Sequence, residues 1–156
     1  MILIAHRGNI NGPDPLNENK PETIINCINK GYNVEIDVRR INDELYLGHD
    51  KPDYKVELDF LLKYKDYLWI HCKDLNSLTL LTSLGLNTFS HDKDAYVLTS
   101  KGIIWAYPGK EVNGKCVCVM PEWEEDVKLF NKKCFGVCSD YVGSIKDLQS
   151  PYYNNH

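Results

Sequence analysis

Short runs of apolar and branched residues recur along the chain, over 2–5, 34–38, 45–47, 68–70, 88–89, 103–107, 116–120 and 135–138. Runs of this length and composition predict β-strands. Between several of them the apolar spacing changes to that of a helix, over 20–30 with Ile24, Ile25 and Ile28, and over 58–67, 75–84 and 122–132. Pro21 suits a first helical turn and Gly31 supplies a stop after Lys30. Strands alternating with helices predict a mainly parallel sheet. The alternation fails at 90–95, 100–102 and 108–115, which are too short for a covering helix with its two loops, so bare loops are expected there.

A full barrel of eight strand–helix units takes about 250 residues. This chain of 156 residues has nearly enough strands and too few helices. The pattern therefore predicts an α/β fold, a trimmed (β/α) TIM-like barrel with several covering helices missing. A doubly wound sheet would want a glycine-rich phosphate turn after its first strand, and His6-Arg7-Gly8-Asn9 is not one. One barrel domain is expected over 1–149, followed by a frayed polar tail over 150–156. Missing helical cover would leave apolar faces that a second copy could bury, which makes a homodimer an expectation.

Charge and cysteines narrow the function classes. A formal net charge of −4 offers no broad basic field, so nucleic acid is not expected as a partner. The apolar start Ile2-Leu3-Ile4-Ala5 has no charged leader and is too short for a signal peptide or a transmembrane segment, so a cytoplasmic setting with reduced thiols is expected. Most of the six cysteines lie within apolar runs, and Cys116/Cys118 with Cys134/Cys138 lacks the spacing of a zinc-binding set.

The chemistry-bearing residues concentrate in the first half of the chain. Side chains alternate along a strand, so Glu35 and Asp37 share one face and Val34, Ile36 and Val38 the other. Two carboxylates aimed at one point can hold a hard divalent cation, although the pair taken alone reads rather as an ordinary solvated strand face matched to Arg39 or Arg40. His6 and His49 each end a short apolar run and can act as acid and base near neutral pH. Arg7 offers a planar fork to phosphate, and Gly8 allows close backbone approach. His91-Asp92 follows the run over 88–89, which would bring it to the same rim, but with no charged partner identifiable in the sequence it reads as structural. Trp105 and Tyr107 fit either an apolar wall for an alcohol moiety or core packing.

The succession His6-Arg7-Gly8, Pro21-Glu22-Thr23, Glu35-Ile36-Asp37 and His49-Asp50 resembles that of the glycerophosphodiester phosphodiesterase family. The segment from Gly136 to Tyr141, with its Ser139-Asp140 pair, resembles the family's last strand. The resemblance implies a metal-dependent phosphodiester hydrolase on a barrel, releasing an alcohol from a glycerophosphodiester or similar small phosphodiester. It implies His6 and His49 as the acid/base pair, Arg7 and Lys73 as phosphate contacts, Glu35 and Asp37 as metal ligands, and Glu22 beside the metal and Arg7. The family's third ligand is a glutamate two residues before a lysine, and His71 stands at that place before Lys73. The implied cofactor is a divalent ion, magnesium, calcium or manganese, and loss of one negative charge tilts the preference toward manganese or zinc. Glu122 is an alternative third ligand, or an acid at a helix start. Substrates could extend to a lysophospholipid or a glycan-linked phosphodiester. A module that binds phosphate esters after losing catalysis is the reading from another class.

Overall fold

In the computed structural model, residues 1–150 are described. The tail expected over 150–156 lies, from 151 onward, outside the described residues. Ten strands and four helices follow one another as β1 (Ile2–His6), α1 (Pro21–Asn29), β2 (Asn33–Ile41), β3 (Glu44–Leu47), β4 (Tyr54–Val56), α2 (Leu58–Lys63), β5 (Leu68–Cys72), α3 (Leu75–Ser83), β6 (Thr88–Phe89), β7 (Tyr96–Leu98), β8 (Ile104–Ala106), β9 (Cys116–Val119), β10 (Gly136–Ser139) and α4 (Val142–Leu148).

Eight strands form one continuous path, β6-β5-β2-β1-β10-β9-β8-β7, parallel except for the antiparallel β7. The far end of β2 turns off this path to pair antiparallel with β3, which pairs with β4. The sheet is strongly curled. Ser100, just past β7, donates its amide to the Thr88 carbonyl of β6 at 2.8 Å, so the two ends of the path approach each other.

Strand alternation divides the residues between the two faces of this sheet. Val34, Ile36, Val38, Leu68, Ile70 and Cys72 point outward into a core completed by Ile24 and Cys27 of α1, Leu61 of α2 and Leu81 of α3. Ile4, Trp69, Phe89, Trp105, Val117 and Val119 pack on the concave face, where Trp69 and Trp105 lie 6.0 Å apart between ring centroids. A third cluster, with Val137, Ile145, Val127 and Phe130, covers the outside of β9 and β10. No helix among the described residues is long and apolar enough to cross a membrane.

The structure corrects one expectation and adds three elements. The helix predicted over 122–132 does not form. Two single 3-10 turns, Pro121–Trp123 and Val127–Leu129, stand there, and the Asp126 carboxylate accepts from the Lys128 amide at 2.9 Å, a local bond that competes with helix continuation. Two short strands, β4 and β7, arise where no apolar run signalled them. So does α4, whose Gly143 lets the helix pack against the loop after β1, since a Cβ there would fall 2.4 Å from Asn11 Oδ1.

Burial accounts for the cysteines. Five are buried and unpaired, and desolvation pushes the thiols of Cys27 and Cys118 up to about 11 and that of Cys72 up to about 12. In native protein at neutral pH, a thiol reagent is expected to reach only the half-buried Cys134, and to reach all six after denaturation. Rapid native labelling of Cys27 or Cys72, read by mass spectrometry, would contradict this.

Candidate metal centre and active site

The ionisable side chains of the candidate site lie on the concave face, toward the C-terminal ends of its parallel strands. His6 ends β1, Glu35 and Asp37 come from β2, His71 from β5, and Asp140 follows β10. The register explains the convergence, because His6 is opposite Glu35 and Asp37 is opposite His71. One ligand atom each from Glu35, Asp37 and His71 lies within 4.8 Å of the others. All three residues are buried.

Asp37 is held on several sides. Asn19, in the left-handed conformation, accepts the Asp37 amide at 3.0 Å and donates its own amide to Asp37 Oδ2 at 3.0 Å. Arg7 Nε lies 3.4 Å from Oδ2. His71 Nδ1 stands 3.2 Å from Oδ1 and Lys73 Nζ 4.0 Å from it, yet Oδ1 is buried without a well-formed hydrogen bond. Burial by itself would raise the Asp37 pKa. His71, the Arg7 guanidinium and the Asn19 amide outweigh it and hold the carboxyl well below the usual carboxylate range. Glu35 goes the other way, raised by burial and by the Asp37 charge beside it.

The His6 imidazole is oriented from behind. Its Nδ1 lies 2.7 Å from Asp140 Oδ1, and since a carboxylate only accepts, Nδ1 carries the proton. Nε2 then faces the cluster, 3.9 Å from Glu35 Oε2. Burial disfavours the imidazolium, but the Asp140 hydrogen bond and the Glu35 charge prevail and raise the His6 pKa. Asn9, buried, donates to both Asp140 Oδ1 at 2.9 Å and Glu18 Oε1 at 2.8 Å. Asp140→Asn removes the anion that favours the imidazolium. The His6 titration, followed by NMR in metal-free protein, is therefore expected to move to lower pH; an unmoved titration would refute the coupling.

His49 occupies the loop after β3, with Nδ1 2.7 Å from Asp50 Oδ1 and its carbonyl bonded by Arg39. Both histidines, Arg7 and the three cluster residues line one cleft of about 230 Å³. Its other wall is apolar and aromatic, with Phe89, Val97, Trp105, Tyr107, Met120 and Trp123.

Two candidate residues fall outside the cluster. Glu22 is exposed and lines a separate shallow groove. Two positions before the buried Ile24, at about 100° per residue, it lies on the opposite side of α1 from the sheet. Glu18 takes the place beside Arg7 instead, at 3.4 Å. Glu122 does not join the three ligands either. Its Oε1 accepts from the Asp140 amide at 2.8 Å and from Ser139 Oγ at 3.0 Å, bracing the end of β10. Asn9, Glu18 and Asn19 escaped the sequence reading, and the signal that could have found the last two is a Glu-Asn pair just before the helix-opening Pro21. His91 also lines the cleft, stacked on His71 with ring centroids 4.7 Å apart.

No protein-family model matches the chain, and no curated protein or solved structure matches it.

Proposed function

We infer that the chain is a metal-dependent phosphodiester hydrolase of the glycerophosphodiester phosphodiesterase type, acting on a small phosphodiester in a trimmed TIM-like barrel. The observation that carries this reading is the convergence of Glu35, Asp37 and His71 on one point of a cleft that also receives His6, His49 and Arg7. The donor set fits a divalent cation. Two buried carboxylates and a buried imidazole aim their ligand atoms at one point, and Asp37 Oδ1 has an unused lone pair there. Glu35, Asp37 and His71 would hold the ion, which supplies positive charge where negative charge develops on the phosphoryl oxygens.

The chain's own groups do the rest. Arg7 and Lys73, beside Asp37, present cationic donors to a phosphate. His6 has Nδ1 fixed by Asp140, so its Nε2 is the atom that takes or gives a proton in the cleft. The Asp50 carboxylate fixes His49 in the same sense, which leaves Nε2 as its exchanging atom. One imidazole removes a proton from the attacking hydroxyl or water and the other protonates the departing alcohol. The aromatic wall accommodates the alcohol substituent. A cytoplasmic setting belongs to the same reading, supported by six unpaired cysteines.

The test is to incubate the protein with glycerophosphocholine and with an aryl phosphodiester in the presence of magnesium, calcium, manganese or zinc. Alcohol release that a chelator abolishes and added metal restores is the expected result. Saturable binding of the phosphodiester with no turnover under any metal would establish a phosphate-ester binding module instead.

A further inference from the structure

We propose that the Glu35–Asp37–His71 centre is a mixed nitrogen–oxygen site that selects a transition-metal ion over magnesium and calcium, with His71 as the discriminating residue. The inference rests on the metal-dependent reading above and concerns which ions the site takes.

Three observations carry it. The first is the count of free oxygen donors. Calcium takes six to eight oxygens, often with a bidentate carboxylate, and both hard ions gain from negative charge at the site. Here Asp37 Oδ2 is already engaged by Asn19 and by Arg7, and Glu35 Oε2 accepts the Arg7 amide at 3.3 Å. Each carboxylate thus offers at most one uncommitted oxygen, and bidentate binding would break existing bonds. The second is charge. Arg7 and Lys73 both stand beside Asp37, so the field of the two carboxylates is offset before any ion arrives. This counts most against ions bound by charge alone.

The third is how the imidazole is held. His71 is buried, and its ring lies nearly parallel to those of Phe89, at 5.2 Å and 6°, and His91, at 4.7 Å and 14°. His91 stands two residues past Phe89, the last residue of β6, and its ring stacks with that of Phe89 at 5.9 Å between centroids. A ring fixed in this way has little rotamer freedom left to lose on ligation. Imidazole is a good donor for the later transition ions such as cobalt, nickel and zinc and a poor one for magnesium and calcium. The same packing would not suit a glutamate, whose carboxylate would be pressed against two rings.

The decisive measurement is the change in selectivity on altering the ligand, because most sites bind transition ions more tightly than magnesium. Metal-free protein is titrated calorimetrically with cobalt and with magnesium, as wild type, His71→Glu, His71→Gln and His91→Phe. The cobalt-to-magnesium affinity ratio is expected to fall by about tenfold or more in both His71 variants. It is expected to hold in His91→Phe, which keeps a ring against His71. An unchanged ratio in a folded His71 variant overturns the proposal, as does a loss confined to His91→Phe, which would make His91 the nitrogen donor.

Wild-type protein alone gives an independent answer should the variants fail to fold. Cobalt-loaded protein is expected to show a hyperfine-shifted, exchangeable imidazole N–H resonance in proton NMR, and its absence would overturn the assignment. Turnover assays on the same samples separate the two readings. Magnesium-supported hydrolysis with unselective binding leaves the function standing and defeats the selectivity. Selective cobalt binding without hydrolysis under any metal does the reverse.

Discussion

Replacing His49 with alanine is expected to lower kcat by about 10²–10⁴-fold while leaving metal affinity within experimental error of wild type. The expectation follows from where His49 sits. It lines the cleft but is not among the three clustered ligands, and its only side-chain partner among the described residues is the exposed Asp50. Its side chain is 39% exposed, so truncation leaves no buried group unsatisfied and the fold should not notice. His6 makes a less clean test, since its loss would strand Asp140 and Asn9 in a partly buried network. The assay is steady-state hydrolysis of an aryl phosphodiester, with calorimetric metal titration on the same preparation. A His49→Ala enzyme within a few-fold of wild type would remove His49 from the proton-transfer pair and leave the second proton donor to be sought along the cleft, with His91 first.

How far the site is legible in the sequence depends on the range of the interactions that build it. Glu35 and Asp37 were readable as a pair because strand alternation is local, and the same rule set Val34, Ile36 and Val38 toward the helices. His71 was implied by the family resemblance, through its place two residues before Lys73, and the register of β5 on β2 puts it opposite Asp37. Glu18 and Asn19 were not readable. Their position depends on Asn19 adopting the left-handed conformation and turning the chain over Asp37, a choice made by a contact across 18 residues. Glu22 was implied by the family resemblance of Pro21-Glu22-Thr23, yet it is exposed on the side of α1 away from the buried Ile24.

The fold shows the same division. Apolar runs marked the parallel strands, since buried strands leave a continuous signal. The antiparallel β7 carries exposed Tyr96 and Leu98, so its pattern merged with the loop around it. The predicted helix over 122–132 had suitable spacing in Trp123, Val127 and Phe130, but Trp123 lines the cleft rather than the covering layer. Only Val127 and Phe130 remain to bind this segment to β9 and β10, too little apolar cover to offset the local capping by Asp126.

Neutralising either acid of the pair should abolish metal binding, yet the two substitutions should move the stability of metal-free protein in opposite directions. Asp37→Asn is expected to cost roughly 1–3 kcal/mol, because it strips the partner from Arg7, His71 and Lys73 in a buried setting. Glu35→Gln is expected to leave the metal-free protein as stable as wild type or more so. Burial and the Asp37 charge both oppose ionised Glu35, and a neutral amide of the same shape relieves both while still accepting the Arg7 amide. The pKa shifts carry the same signs. The lowered Asp37 pKa contributes stability that is present at neutral pH and lost as pH falls through the folded value. The raised Glu35 pKa means that stability is lost as pH rises through its folded value. Denaturant melts of metal-free protein measure the first effect. For the second, wild type should gain about 2.7 kcal/mol at an ion concentration about 100 times its Kd, and neither variant should gain any. Equal destabilisation by both substitutions would mean that Glu35 is held by favourable contacts rather than kept ready, at a cost, for a cation. The pair would then be a structural element of β2 and not the floor of a metal centre.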